Sequence, residues 1–330
     1  MIKRNEIDNV LPQLSKQISS DEIYSLIEER YTEIVTQWMP LQVEWMNGVY
    51  RTFYDPEKFM IVMHLLKKTF ENYSENFVKL DFGEYFNQNE VEIKEVNVMK
   101  ISKALNIPKE TTRRKINQLE KLNVIKRSSR KIIIDRKAWP GMKPQDTIVR
   151  VSRFLSILSK KLNEEKKISN EISSKEIIST VEEYFSHVWK LYYDMQMPML
   201  LNFKERFGDI ESFHIWGICV TNQIFTSLKN DNSYLSKEKY LEKYLFRAEG
   251  ILGINAMSIS DISGIPRATV FRKLSKLVKS GYLKIDEKKH YLSTGLHSKD
   301  FKDVQKINLK NLSKFASRIY NLINKKENKF

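Results

Sequence analysis

Apolar residues recur along this chain at helical spacing, in blocks divided by short polar stretches. Ile23, Leu26, Ile27, Ile34 and Trp38 fall on one helical face, and that stripe begins just after Ser19 and Glu22. The Ser/Glu pair fits a capping box, in which the hydroxyl takes an otherwise unpaired backbone N–H and the carboxylate returns the bond. Asp55-Pro56-Glu57 marks a second helix start, with Asp as cap and Pro in the first turn, and a largely apolar run continues from Phe59 to Phe70. Val151, Phe154, Ile157, Leu158 and Leu162 predict a further apolar stripe, as do Leu309, Leu312, Phe315, Ala316 and Tyr320. The stretch between 71 and 96 carries no clear pattern, whereas 237–249 (KEKYLEKYLFRAE) predicts a helix. The expected fold class is mainly α.

The pattern occurs twice. Residues 15–29 and 169–183 are identical at nine of fifteen positions, an offset of 154, and the match runs on through Phe53/Phe207, Asp55/Asp209, Glu57/Glu211, Phe59/Phe213 and Ile61/Ile215. Further along the offset becomes 158, aligning Ile107-Pro108 with Ile265-Pro266, Thr111 with Thr269, Arg114 with Arg272 and Lys115 with Lys273. Ordered blocks in both halves predict a tandem duplication. The first repeat covers 1–167, with helices over 15–80, a reader over about 81–137 and a closing helix over 145–163. The second covers 168–330, with helices over 173–235, a reader over about 236–294 and a closing helix over 299–325. A chain of 330 residues suits two domains, each with a core of its own.

Each reader has the same internal order. Residues 101–106 (ISKALN) predict a short helix with Ala104 and Leu105 inward, Ile107-Pro108 a turn, and 109–122 (KETTRRKINQLEKL) a second helix burying Thr112, Ile116 and Leu119. Asn123 suits the left-handed residue that ends such a helix. Two strands, 124–127 and 130–135, follow across a turn at Ser128-Ser129. The second copy repeats the scheme with helices 259–264 and 267–280, Gly281 as terminator, and strands 282–286 and 290–294. Helix, turn, helix and β-hairpin in this order describe a winged helix-turn-helix with a small hairpin wing.

Composition narrows the function. Ten Gly and eight Pro favour helices with short connections, and the lone Cys219 leaves no intramolecular disulfide. No apolar stretch reaches the length of a membrane span, and the start lacks a signal-peptide core, which predicts a cytoplasmic protein without membrane contact. The net charge of +15 is concentrated: residues 100–137 hold thirteen Lys/Arg against three Asp/Glu, and 258–290 hold eight against three. Two basic islands in an otherwise neutral chain predict polyanion contact, with the first dominant. No Gly-rich phosphate loop, HExxH or CxxC spacing occurs, so no catalytic residue, metal ligand or cofactor is assigned. His187 and His214 read as structural. The aromatics Trp38, Trp45, Tyr50, Phe53, Tyr54, Trp189, Tyr192, Phe203 and Phe207 fit helix packing or an interface between halves, and leave room for a small-molecule effector of unknown identity.

The segment Arg267-Ala268-Thr269-Val270-Phe271-Arg272-Lys273-Leu274, with Leu277 and Gly281-Tyr282-Leu283, resembles the recognition helix and wing entry of bacterial MarR, GntR and IclR transcriptional regulators. Copy one is similar, with Asn123 for the usual Gly and Lys115 at a commonly apolar position. The resemblance implies double-stranded DNA as partner, read in the major groove by the outward face of the second helix. Lys109, Thr111, Arg113 and Arg114 form that face in copy one, and Arg267, Thr269, Phe271 and Arg272 in copy two. Lys115, Lys121, Arg127, Arg130, Lys131, Lys273, Lys288 and Lys289 are expected on phosphates, setting affinity and salt dependence rather than sequence choice. The expected function is a transcriptional regulator acting as an intramolecular pseudo-dimer, or as a homodimer, on an imperfect inverted repeat. A plasmid-type replication initiator with tandem winged helices, or a winged-helix protein-interaction scaffold, are the alternatives.

Overall fold

The computed structural model describes residues 17–94, 96–128, 131–135, 144–230, 234–246, 252–294 and 298–327. The chain is mainly helical, with small antiparallel hairpins. In order come α1 (Ser20–Glu29), α2 (Tyr31–Phe53), α3 (Pro56–Glu75), a short α4 (Phe82–Asn87), β1 (Glu90–Lys94), α5 (Val98–Leu105), α6 (Lys109–Lys121), β2 (Ile125–Ser128), β3 (Lys131–Asp135) and α7 (Gln145–Glu164). The second half gives α8 (Ser174–Glu183), α9 (Phe185–Phe207), α10 (Ile210–Asn230), α11 (Lys237–Tyr240), α12 (Ala256–Ser263), α13 (Arg267–Lys279), β4 (Leu283–Ile285), β5 (Tyr291–Ser293) and α14 (Ser298–Glu327). No described helix is long and apolar enough to cross a membrane.

Local chemistry sets the helix starts. Both capping boxes form: Ser19 accepts from the Glu22 N–H at 3.2 Å while the Ser19 N–H donates to the Glu22 carboxylate at 2.9 Å, and Ser173 and Glu176 repeat the arrangement. Asp55 caps α3 by accepting from the N–H groups of Glu57 and Lys58. The short helices α5 and α12 start a turn earlier than the sequence pattern suggests, because Asn97 and Asn255 cap them by accepting from Lys100 and Ser258 N–H, both at 2.9 Å. They end in left-handed residues, Asn106 (φ 49°) and Gly264 (φ 73°).

Three details differ from the periodicity. Ala104 is exposed, and Ile101 and Leu105 hold the buried face of α5. Ile157 is exposed along the α7 stripe, while Val151, Phe154, Leu158 and Leu162 are buried. The region left open between 71 and 96 supplies α4 and a third strand: β1 pairs antiparallel with β3, so the first sheet runs β1-β3-β2, with Val91 opposite Ile134 and Ile93 opposite Ile132. In the second half, among the described residues, a bridge joins Ile254 and Tyr291, and a Cβ on Gly253 would sit 2.8 Å from the Tyr291 carbonyl oxygen, which explains the glycine. The helix expected over 237–249 is α11 followed by a π-helical turn, Leu241–Phe246, with its last three residues outside the described set.

The halves do not keep separate cores. Their buried residues form one contiguous cluster, and the contacts between halves come in reciprocal pairs. α1 packs on α14 while α8 packs on α7, and α3 packs on α9 while α10 packs on α2. Hydrogen bonds follow the same reciprocity. Ser317 donates to the Ile18 carbonyl at 2.8 Å and Ser159 to the Ile172 carbonyl at 3.1 Å. Thr32 exchanges bonds with the Leu235 backbone, as Ser186 does with that of Leu80. Trp45 meets Tyr192 edge-on and Phe70 meets Phe185 and Tyr193, so these aromatics join the halves.

Two histidines lie in this core. Burial, with Lys68 nearby, pushes His64 down to about 4, and burial, with Arg51 nearby, pushes His214 down to about 3. An unfolded histidine titrates near 6.5, so below that pH the unfolded chain takes up protons that the folded chain refuses. The stabilisation is complete above pH 6.5 and is lost as pH falls towards 4, at about 1.4 kcal/mol per pH unit per histidine. The melting temperature should therefore drop steadily from pH 7 to pH 5, and less steeply in His214→Gln. A wild-type melting profile that is flat over that interval would contradict this account.

Candidate nucleic-acid interface

The two units α5–α6–β2–β3 and α12–α13–β4–β5 share their internal bonding. Ser102 donates to the Ile107 carbonyl at 2.6 Å and Ser260 to the Ile265 carbonyl at 2.7 Å, closing the turn between the two helices in each unit. Pro108 and Pro266 stand just before α6 and α13, with φ of −51° and −53°. Thr112, Ile116 and Leu119 are buried on α6, as are Val270, Leu274 and Leu277 on α13. Asn123 (φ 57°) and Gly281 (φ 74°) end the helices and direct the chain into the hairpins.

That packing leaves Lys109, Arg113 and Arg114 exposed on α6, with Thr111 half-buried, and Arg267, Phe271 and Arg272 exposed on α13, with Thr269 half-buried. Arg113 pairs with Glu110 on its own helix, and the Arg267 guanidinium lies 5.5 Å from the Phe271 ring centroid. Among the described residues, Lys109, Arg114, Lys121, Arg267, Arg272, Lys288 and Lys289 have no carboxylate partner. Lys288 and Lys289 stand exposed in the β4–β5 turn, where Lys289 adopts φ 59°. Arg130 lies outside the described residues.

Lys115 and Lys273 are corrections to the sequence reading. Lys115 is 9% exposed and points into the protein, its Nζ 2.8 and 2.6 Å from the two Asp55 oxygens and 3.3 Å from Glu57. Lys273 lies 2.7 Å from Asp209 and 3.5 Å from Glu211. Burial alone would raise the Asp209 pKa, but hydrogen bonds from Lys273 and the Ser212 N–H hold it below the ordinary carboxylate range. Helix phase is the reason: position 115 lies three residues after Thr112 and four before Leu119, on the face turned to the body. Identity between the halves at Asp55/Asp209, Glu57/Glu211 and Lys115/Lys273 thus marks a clamp between each unit and the helix beneath it. Sequence reasoning missed that role, although the unusual Lys at a normally apolar position was the available signal.

Each unit is also held by the other half. Lys204, on α9, donates to the Leu105 and Asn106 carbonyls at 3.2 and 2.8 Å and reaches Glu57 at 3.2 Å. Arg51, on α2, donates to the Ile262 carbonyl at 3.2 Å. Cations from the opposite half therefore sit on the carbonyl ends of α5 and α12, where the helix dipole favours positive charge.

The charge islands are smaller in space than along the chain. In the first, Lys126 pairs with Glu90 and Asp135, Arg127 with Glu120, and Lys131 with Glu92. The hydrogen bond from Arg127 lowers the Glu120 pKa. Acids from outside the basic windows neutralise part of both islands, Glu90 and Glu92 in the first and Asp209 and Glu211 in the second. Comparison with family models, curated proteins and solved structures gives no match.

The clamp has a measurable consequence. Lys115→Ala leaves Asp55 and Glu57 partly buried and short of a counter-charge, and should destabilise the fold by about 1–3 kcal/mol. Arg114→Ala, on the exposed face, should change stability by less than about 0.5 kcal/mol. Urea unfolding of the two variants checks the contrast, and equal effects would refute the internal role of Lys115.

Proposed function

We propose that the chain is a tandem duplication of a helical segment and a winged helix-turn-helix, and that it is a transcriptional regulator reading double-stranded DNA as an intramolecular pseudo-dimer. The observation that carries this reading is Arg114 and Arg272. Most positions that stay identical between the halves have an internal reason: Ser19/Ser173 cap helices, Ile18/Ile172 bond across the halves, and Asp55/Asp209 with Lys115/Lys273 form the clamps. Arg114 and Arg272 are exposed, without a carboxylate partner among the described residues, on the outward faces of α6 and α13. An identity that folding does not require points to a shared external partner, and an arginine on such a face suits guanine recognition through two parallel hydrogen bonds.

The reciprocal packing supports an inverted rather than a direct repeat, since a two-fold arrangement of readers mirrors a palindrome. The rest of the two faces has diverged, with Arg113 where the other has Phe271 and Lys109 where it has Arg267, so the half-sites should differ. Phe271, exposed beside Arg267, suits a thymine methyl.

Selection of bound sequences from random DNA should return an imperfect inverted repeat. Arg114→Ala and Arg272→Ala should each weaken binding of that site about 5- to 150-fold, corresponding to roughly 1–3 kcal/mol, and each should relax base preference in one half-site only. Recovery of direct repeats would point to an initiator-type arrangement, and absence of salt-sensitive DNA binding would favour a protein-binding scaffold. Either result overturns the proposal.

A further inference from the structure

A cavity of about 140 Å³ lies between the halves, walled by α2, α9, α10 and α14. Its lining is mostly apolar, with the aromatic rings of Trp38, Phe203, Phe213 and Trp216 among it. Three polar atoms groups interrupt it. Gln42 is 7% exposed and both ends of its amide lack a partner, the His214 Nε2 is buried without one, and so is the Asn308 Oδ1. Buried polar atoms left unpaired are rare in folded proteins, and three residues facing one void point to a missing partner.

The reciprocal region of the other half differs from this one in side-chain size at several positions. The positions 154 residues apart from Val35, Gly217 and Ile224 are Trp189, Met63 and Phe70, all buried. Each is larger than its cavity counterpart, while Phe203 and Trp216 of the cavity exceed theirs, Val49 and Val62. There Gln196 donates to the Tyr192 hydroxyl at 3.0 Å, whereas Gln42 faces this choice with Trp38 in place of the tyrosine and loses the partner. Gly217 sits inside α10, where glycine weakens a helix, yet a Cβ there would meet nothing within 4 Å. Among the described residues nothing crowds a side chain at this position, and the open space beside it is what a bound molecule would fill.

We propose that this cavity binds a neutral, single-ring aromatic molecule bearing a carboxamide-like donor and acceptor, with its ring among Trp38, Phe203, Phe213 and Trp216 and its polar edge on Gln42. The volume matches such a ligand, since an engineered cavity of ~150 Å³ holds benzene. Neutrality follows from the lining: among the described residues no carboxylate faces the cavity, and the one Lys or Arg that lines it, Lys302, is exposed at the edge. Burial keeps His214 uncharged, leaving its imidazole as a neutral hydrogen-bonding group. The site stands independently of DNA reading, because every group invoked belongs to the helical body.

Calorimetric titration of the full chain with benzamide, without DNA, tests the proposal. Saturable one-to-one binding is expected, at least tenfold tighter than for toluene or benzoate, with a change in tryptophan fluorescence. Gly217→Met should bind benzamide at least tenfold more weakly while melting no lower than wild type. Gln42→Leu should erase the preference for benzamide over toluene, and it serves as the test if the methionine variant does not fold. No saturable binding, equal affinity for toluene or benzoate, or unchanged binding by a folded Gly217→Met variant would overturn the proposal.

Discussion

Two inward-turned lysine ammonium groups decide how the outer parts of this molecule are oriented. Asp55, fixed at the start of α3 by backbone N–H groups, accepts Lys115 from α6, and Asp209 accepts Lys273 from α13 in the same way. The carboxylate is pinned by the helix N-terminus, where negative charge is favoured, and so offers the lysine a fixed position rather than a mobile side chain. Helices α6 and α13 are each thereby set at one angle on the body. Removing the charge would leave its partner half-desolvated, so the contact is costly to break even where its net contribution to stability is modest.

The body that receives these clamps belongs to neither half alone. With α3 seated on α9 and α10 on α2, one helical layer carries both units, and Lys204 and Arg51 tie each unit to the opposite half. The distance and angle between the outward faces of α6 and α13 are consequently a property of one rigid core. Two subunits that had to associate would pay the entropy of association before reaching that arrangement. A single chain is free to let the two outward faces, and the two sides of the core, diverge independently. The contrast between Val35, Gln42 and Gly217 on one side and Trp189, Gln196 and Met63 on the other is an instance of that freedom.

Much of the local structure was legible in the residues. Capping boxes, the Asp-Pro-Glu start, the turn prolines and the left-handed Asn123 and Gly281 act through neighbours a few positions away, so their spacing alone specifies them. The order of helix, turn, helix and hairpin was equally open to reading in each half. Strand β1 was not, because five alternating residues acquire meaning only when β3 is present to pair with them.

What the chain by itself determined is therefore the set of elements, their order, and the outward placement of Arg114 and Arg272. Tertiary structure alone decided that Lys115 and Lys273 turn inward, that part of the basic islands is cancelled by Glu90, Glu92, Asp55 and Asp209, and that the halves share one core. The physical reason is range. Capping and turn formation act over a few residues of sequence, whereas these ion pairs join groups 36 to 64 positions apart, and no periodicity records which of them will meet.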